Sequence, residues 1–213
     1  AIIGAGASGL MFASMIKDKK VILIDSNSKI GEKIKVSGGA KCNITNEYVC
    51  SDNYLGEQTF VQSILDKYTN KDLLNFLNKN GVHPNINAKI VKGTYFCNAS
   101  SEVNSMFSKL ISNVKLSLNT MVTEVKYDSK FILQTSKGKI ESKKLVVASG
   151  GLSYPSLGAS GIAFEIAKEF GHTVNTLSPA LVGFTVQKDQ FWFKNLSGLS
   201  FDVKLEIENK TFE

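Results

Sequence analysis

The chain has 213 residues, 43% hydrophobic and 21% charged, which suits a soluble globular protein and argues against disorder. Its formal net charge is +6, yet all 25 basic residues are lysine and they are scattered. Without arginine's planar fork, and without a block of like charge, the surplus reads as a solvated lysine surface, and no nucleic-acid partner is expected.

Ala1 to Ile3 is strand-like from the first residue, which predicts that a few residues precede it in the whole protein. Gly4 to Gly9 is a glycine-rich turn, and Ser8 to Asp18 is an apolar helix of the kind that packs on a sheet. Val21 to Ile24 is a continuous apolar strand. This β-α-β order favours a parallel sheet. Lys29 to Asn46 is polar and glycine-containing, so a loop, or a short helix and a loop, is expected. Helices are expected at Gln58 to Tyr68, Lys71 to Asn80 and Ser100 to Ser112, with Gly81 closing the second.

Strands are expected at Val114 to Leu118, Met121 to Tyr127, Phe131 to Thr135 and Lys139 to Glu141. The stretch Val114 to Glu141 therefore reads as an inserted β-meander. Leu145 to Ala148 is a further buried strand, and Gly161 to Phe170 a helix capped by Gly171. From Pro179 the pattern turns to strands, at Gly183 to Val186 and Phe201 to Ile207. Residues 1–178 are thus expected to form one α/β domain of Rossmann type, and 179–213 to begin a β-rich substrate domain.

Three motifs carry chemistry. Gly4-Ala5-Gly6-Ala7-Ser8-Gly9 is a G-x-G-x-x-G between a strand and a helix. Gly4 permits the tight turn, Gly6 lets a pyrophosphate approach the backbone, and Gly9 lets helix and strand pack closely. The helix N-terminus at Ala7 and Ser8 favours phosphate charge. Asp25, with Ser26 beside it, ends the next strand about 20 residues on, where a ribose-binding acid is expected.

The second motif runs from Lys33 to Asn46, K-I-K-V-S-G-G-A-K-C-N-I-T-N. It resembles the K-x-x-x-S-G-G-G-R-C-N-x-T-N hallmark of the YhiN/BaiN-type bacterial flavoproteins, the aminoacetone-oxidase family. The matching residues are Lys33, Ser37, Gly38, Gly39, Cys42, Asn43, Thr45 and Asn46; two positions depart, Ala40 where the family has glycine and Lys41 where it has arginine. The resemblance implies that this loop lines the ribityl and isoalloxazine part of FAD. Cys42 has no neighbouring cysteine partner and reads as a packing residue, not a redox group.

The third motif is Ala148-Ser149-Gly150-Gly151, followed by Leu152-Ser153-Tyr154-Pro155. It resembles the family's A-T-G-G-x-S-Y-P, the strand end that returns to the dinucleotide. Val122 resembles the valine that meets adenine through its backbone. The resemblance implies an FAD-dependent oxidoreductase acting on a small organic substrate, with NAD(P)H as a candidate electron donor. No second dinucleotide fingerprint occurs, and no catalytic residue is assigned. The alternatives are a flavin protein with a regulatory or RNA-modification role, and a plain NAD-dependent dehydrogenase. The resemblance also implies a closing C-terminal segment beyond this sequence. Three cysteines without a CxxC pair indicate neither a metal site nor a disulfide framework, and a reducing cytoplasm is expected; no membrane segment or oligomeric state is assigned.

Overall fold

The computed structural model describes residues 1–86, 92–179, 189, 195–196, 204–207 and 210–212. They fall into two compact units, Ala1–Val174 and Asn175–Glu213. In the first unit four strands form a parallel sheet: β1 (Ile2–Ile3), β2 (Ile22–Ile24), β6 (Lys115–Ser117) and β10 (Val146–Val147), in the order β10-β1-β2-β6. Ile2 pairs with Leu23 and Val146, and Ile3 with Ile24 and Val147.

Alternation along these strands builds two cores. Ile2 and Leu23 face one side, with Leu10 and Ala13 of α1 (Ala7–Met15) and Val103, Met106 and Phe107 of α5 (Ser100–Leu110). Ile3 and Ile24 face the other, with Val122, Val125, Leu133, Ile162 and Ile166. The sheet is thus covered on both faces, as short parallel apolar strands require. This is an α/β fold of Rossmann type.

The second layer comprises an antiparallel meander, β7 (Val122–Asp128), β8 (Lys130–Thr135) and β9 (Gly138–Ser142), with α6 (Ile162–Glu169). The sequence pattern placed Val114 to Leu118 in this meander. The structure corrects that: β6 pairs parallel to β2, Leu116 opposite Leu23. Alternation marks a strand but does not say which sheet it joins.

Lys29 to Asn46 holds the short helix the sequence allowed, and a strand it did not announce. It contains α2 (Glu32–Val36) and β3 (Asn43–Asn46). β3 pairs antiparallel with β5 (Thr94–Phe96), which pairs with β4 (Asn85–Ile86). The two middle helices are α3 (Gln58–Leu65) and α4 (Asn70–Lys79). Thr69 caps α4: its hydroxyl accepts the Asp72 amide, and the Asp72 carboxylate accepts the Thr69 amide at 2.8 Å.

α1 is less buried than its apolar sequence predicts. Gly9, Leu10 and Ala13 meet the sheet, whereas Phe12 is 43% and Met15 55% exposed. Apolar residues lie around most of the helix, but only one side has the sheet to pack on. α6 ends as expected: Gly171 has φ +79°, and the His172 amide donates to Ala167 O at 2.9 Å.

In the second unit β11 (Leu205–Ile207) and β12 (Lys210–Phe212) form an antiparallel pair. The strand expected at Gly183 to Val186 lies outside the described residues. No helix among the described residues is long and apolar enough to cross a membrane.

The close packing of α1 on β1 rests on Gly9. A Cβ there would overlap the Gly4 carbonyl oxygen, a backbone atom that cannot swing aside. Gly9→Ala is therefore expected to destabilise the protein by roughly 1–3 kcal/mol, the usual cost of overpacking. Urea unfolding of the two proteins measures it, and unchanged stability would show that the turn relaxes freely.

Candidate functional site

Three chain segments meet at the carboxyl end of the parallel sheet. The turn after β1 carries Gly4 to Gly9, Asp25 follows β2, and Ala148 to Gly151 follow β10. The approach of the first and third is very close. A Cβ on Gly4 would touch the Ala148 carbonyl and lie 2.8 Å from Ser149 Cα, and φ at Gly4 is +103°. Only glycine fits there without displacing backbone.

Asp25 ties the turn together. Its Oδ2 accepts the Ala5 amide at 2.6 Å, and its Oδ1 accepts the Asn27 amide at 2.8 Å. Its backbone is held as well: the Asp25 amide donates to Ser117 O at 3.1 Å, and the Thr120 amide donates to Asp25 O at 2.8 Å. Each carboxylate oxygen keeps a further lone pair for another donor.

A cleft of about 650 Å³ opens beside this junction. Of the residues singled out from sequence, Gly4, Gly6, Ala7, Ser8, Asp25, Lys33, Ser37, Cys42, Asn43, Ala148, Ser149 and Gly150 line it. A second hollow of about 440 Å³ is lined by Gly4, Asp25, Ser26, Val122 and Ser149, with Thr120, Thr123 and Glu165. Gly4, Asp25, Ser149, Gly158 and Ala159 belong to both hollows.

The remaining residues lie elsewhere. Gly9 packs under Gly4, and Gly38 lies against the Phe96 ring and the Asn43 amide. Gly39, Lys41 and Gly151 line neither hollow. Lys41 is exposed; its carbonyl accepts the Cys97 amide at 2.8 Å. His83 and His172 line neither hollow, and the His83 ring meets Asn78 Oδ1 at 2.9 Å on the surface.

Sequence reading passed over Asn27 and Thr120. Asn27 lines the cleft, and its amide group donates to Leu157 O at 3.1 Å, joining the Asp25 turn to the segment after β10. Thr120 is buried; its hydroxyl meets Ser117 Oγ at 3.1 Å and donates to Leu118 O at 3.0 Å. An Asp at a strand end is an Asx-turn signal, because its side chain can accept the amide two places on, as Asp25 does from Asn27, and that was the available clue.

The loop Ser37 to Cys42 folds back tightly. Gly38, Gly39, Ala40 and Cys42 all have φ between +54° and +69°. The Cys42 amide donates to Ser37 O at 2.9 Å, and the Ser100 amide to Ala40 O at 2.8 Å. This conformation explains the glycine run. It also puts Ala40 in a backbone region that alanine occupies at a cost.

Cys42 and Cys97 are buried, and Cys50 is exposed. Burial pushes the Cys42 thiol up. Burial, then the neighbouring Cys42 and Glu102, push the Cys97 thiol up to about 12. Both stay protonated near neutrality and are poor nucleophiles.

The cleft fits a dinucleotide of the FAD kind on three counts. No side chain caps the α1 N-terminus, and its first turn has no acidic residue, so phosphate can meet free amides. A side chain at Gly6 would project into open space within the cleft. Ser149 Oγ is buried without a hydrogen-bond partner among the described residues, an orphan donor that a ligand oxygen would satisfy. Among the described residues no cluster of His, Cys, Asp and Glu could hold a metal ion.

Two outcomes follow. Ala40→Gly is expected to stabilise the protein by about 1 kcal/mol, read as a higher melting temperature, because glycine removes the left-handed penalty; a lower one would contradict the loop geometry. Mapping of maleimide labelling at pH 7.5 is expected to find Cys50 modified and Cys42 and Cys97 protected until denaturant is added. Rapid native labelling of Cys42 would show a reactive thiol in the cleft.

Comparison with known proteins bears on this site. The chain is 36% identical over 96% of its length to a ribosomal RNA dihydrouridine synthase of Haemophilus influenzae, covering 53% of that protein. It is 34% identical over 99% of its length to the protein so named from Escherichia coli, covering 54% of it. It is 28% identical over 96% of its length to a 3-dehydro-bile acid delta(4,6)-reductase of Clostridium scindens, covering 51% of that protein. The chain thus spans about half the length of these relatives. Among solved structures, THI4 of Thermovibrio ammonificans shares the fold, with a TM-score of 0.50 at 12% identity over 81% of this chain and 62% of that one. The model of the HI0933-like protein Rossmann domain matches residues 1–209, and the chain belongs to that family.

Proposed function

We propose that this chain is the FAD-binding part of a flavin-dependent reductase that adds hydrogen across a carbon–carbon double bond conjugated to a carbonyl. The observation that carries the reading is the convergence of the β1 turn, Asp25 and the Ala148–Gly150 turn on one cleft, with a free helix N-terminus and the orphan Ser149 hydroxyl. The amides of Ala7 and Ser8 hold the pyrophosphate, and Asp25 accepts from a ribose hydroxyl. Val122 and its hollow take the adenine end. Ser37, Cys42 and Asn43 flank the flavin end. When bound, FAD supplies the two-electron chemistry, while the protein supplies binding, orientation and local charge. NAD(P)H is the proposed donor.

The favoured substrate class is uridine in ribosomal RNA. The two relatives above 30% identity carry that activity in their names, and forming dihydrouridine is addition of hydrogen to a double bond conjugated to a carbonyl. These relatives remove the support for expecting no nucleic-acid partner. The lysine-only surplus of +6 suits a phosphate backbone through point charges, without the base-reading fork of arginine. The second reading, a small conjugated ketone, rests on the 28% identical bile acid reductase.

Anaerobic assay of the full-length protein distinguishes them. NAD(P)H is expected to bleach the flavin, and unmodified ribosomal RNA, not a steroid enone, to restore its colour with dihydrouridine formed. Reoxidation by the enone alone would place the substrate among small molecules. No bleaching by either nucleotide would remove NAD(P)H as donor. Asp25→Asn, which keeps the side chain's size, is expected to weaken FAD binding at least tenfold, measured by flavin fluorescence; unchanged affinity would remove Asp25 from the ribose site.

A further inference from the structure

Lys33 is the sole basic residue among those lining the main cleft. It sits in the first turn of α2 and is half-buried. Its Nζ lies 3.9 Å from the point a Cβ on Gly150 would occupy, so the side chain reaches from α2 to the turn after β10. The other charged residues of the lining are Asp25 and Glu32. Asp25 is bonded to the amides of Ala5 and Asn27, and Glu32 pairs with Lys35. No salt bridge engages Lys33 among the described residues. The cleft therefore has one cation whose carboxylate neighbours are otherwise committed.

The position of that cation along the cleft matters. Phosphate charge is already met by the uncapped N-terminus of α1, and Asp25 marks the ribose beside it. Lys33 is tied instead to the loop assigned to the flavin ring: its carbonyl accepts the Ser37 amide at 3.2 Å, and Ser37 in turn accepts the amides of Cys42 and Asn43. A ring taking up two electrons and one proton keeps a negative charge on its N1–C2=O edge. A cation held against that edge favours the reduced form, because a partly buried charge is weakly screened.

We propose that the Lys33 ammonium faces the N1–C2=O edge of the bound flavin and raises its reduction potential, setting how readily the cofactor accepts hydride. This rests on the FAD-binding reading above. The structure supplies the cation and its placement beside Gly150, and the chemistry of a reduced flavin supplies the reason for it.

The test uses the full-length holoprotein with Lys33→Met and Lys33→Arg. The readouts are the midpoint potential, FAD content, and the affinity for sulfite, which adds its electron pair at flavin N5 and leaves negative charge at N1–C2=O. Lys33→Met is expected to lower the potential and weaken sulfite binding at least tenfold, with FAD still bound. Lys33→Arg, which keeps the charge, is expected to lie near the wild type. An unchanged potential and sulfite affinity in a flavin-replete Lys33→Met protein would overturn the proposal. So would loss of FAD from Lys33→Met with an ordinary potential for Lys33→Ala reconstituted in excess FAD, since Lys33 would then be a phosphate or packing residue. A wild-type protein that binds no FAD would instead defeat the reading on which the proposal rests.

Discussion

The site depends on how closely the backbone of β1 can approach the backbone after β10. Gly4 lies so near Ala148 and Ser149 that no side chain can stand between them. Its amide donates to Ile24 O at 2.8 Å, and the Ala148 amide to Ile3 O at 2.7 Å, so three strand ends are fixed in one plane of hydrogen bonds. The helix α1 then begins at the carboxyl end of the sheet, with its free amides facing the cleft. Moving Gly4 outward would displace both the helix N-terminus and Ser149.

Asp25 adds a second restraint of a different kind. Its carboxylate closes hydrogen bonds to Ala5 and Asn27, while Ser117 and Thr120 clamp its backbone. A residue read from sequence as a ligand acceptor is therefore also a structural tie. Asn27 extends the tie to Leu157. The main cleft and the hollow beside Val122 share Gly4, Asp25, Ser149, Gly158 and Ala159, so a ligand long enough to span both would pass over these five residues. Charge along that path varies, with the positive helix end near Gly6 and the Lys33 ammonium beside Gly150.

The parallel core and the glycine turn were legible because their signals are local. A run of apolar residues, a G-x-G-x-x-G and a strand-ending acid each fix backbone geometry within a few positions. What stayed hidden depends on pairing across long separations. β3 reads as Asn-Ile-Thr-Asn, polar enough to pass for a loop, and becomes a strand because Thr94 to Phe96 lie alongside. Lys115 to Ser117 alternates like the meander but is drawn to β2. The exposed Phe12 and Met15 show the limit of reading burial from composition, since a helix can be apolar on a side that no sheet covers. The Ser37 to Cys42 loop was readable as glycine-rich, but its left-handed backbone at Ala40 and Cys42 was not.

The most direct measurement is the visible spectrum of the purified full-length protein, with chemical identification of whatever it releases on denaturation. The expected result is a yellow protein that releases FAD in near-equimolar amount. A colourless protein that takes up no added FAD but binds NAD would contradict it, and would assign the same turn, acid and helix terminus to a nicotinamide dinucleotide.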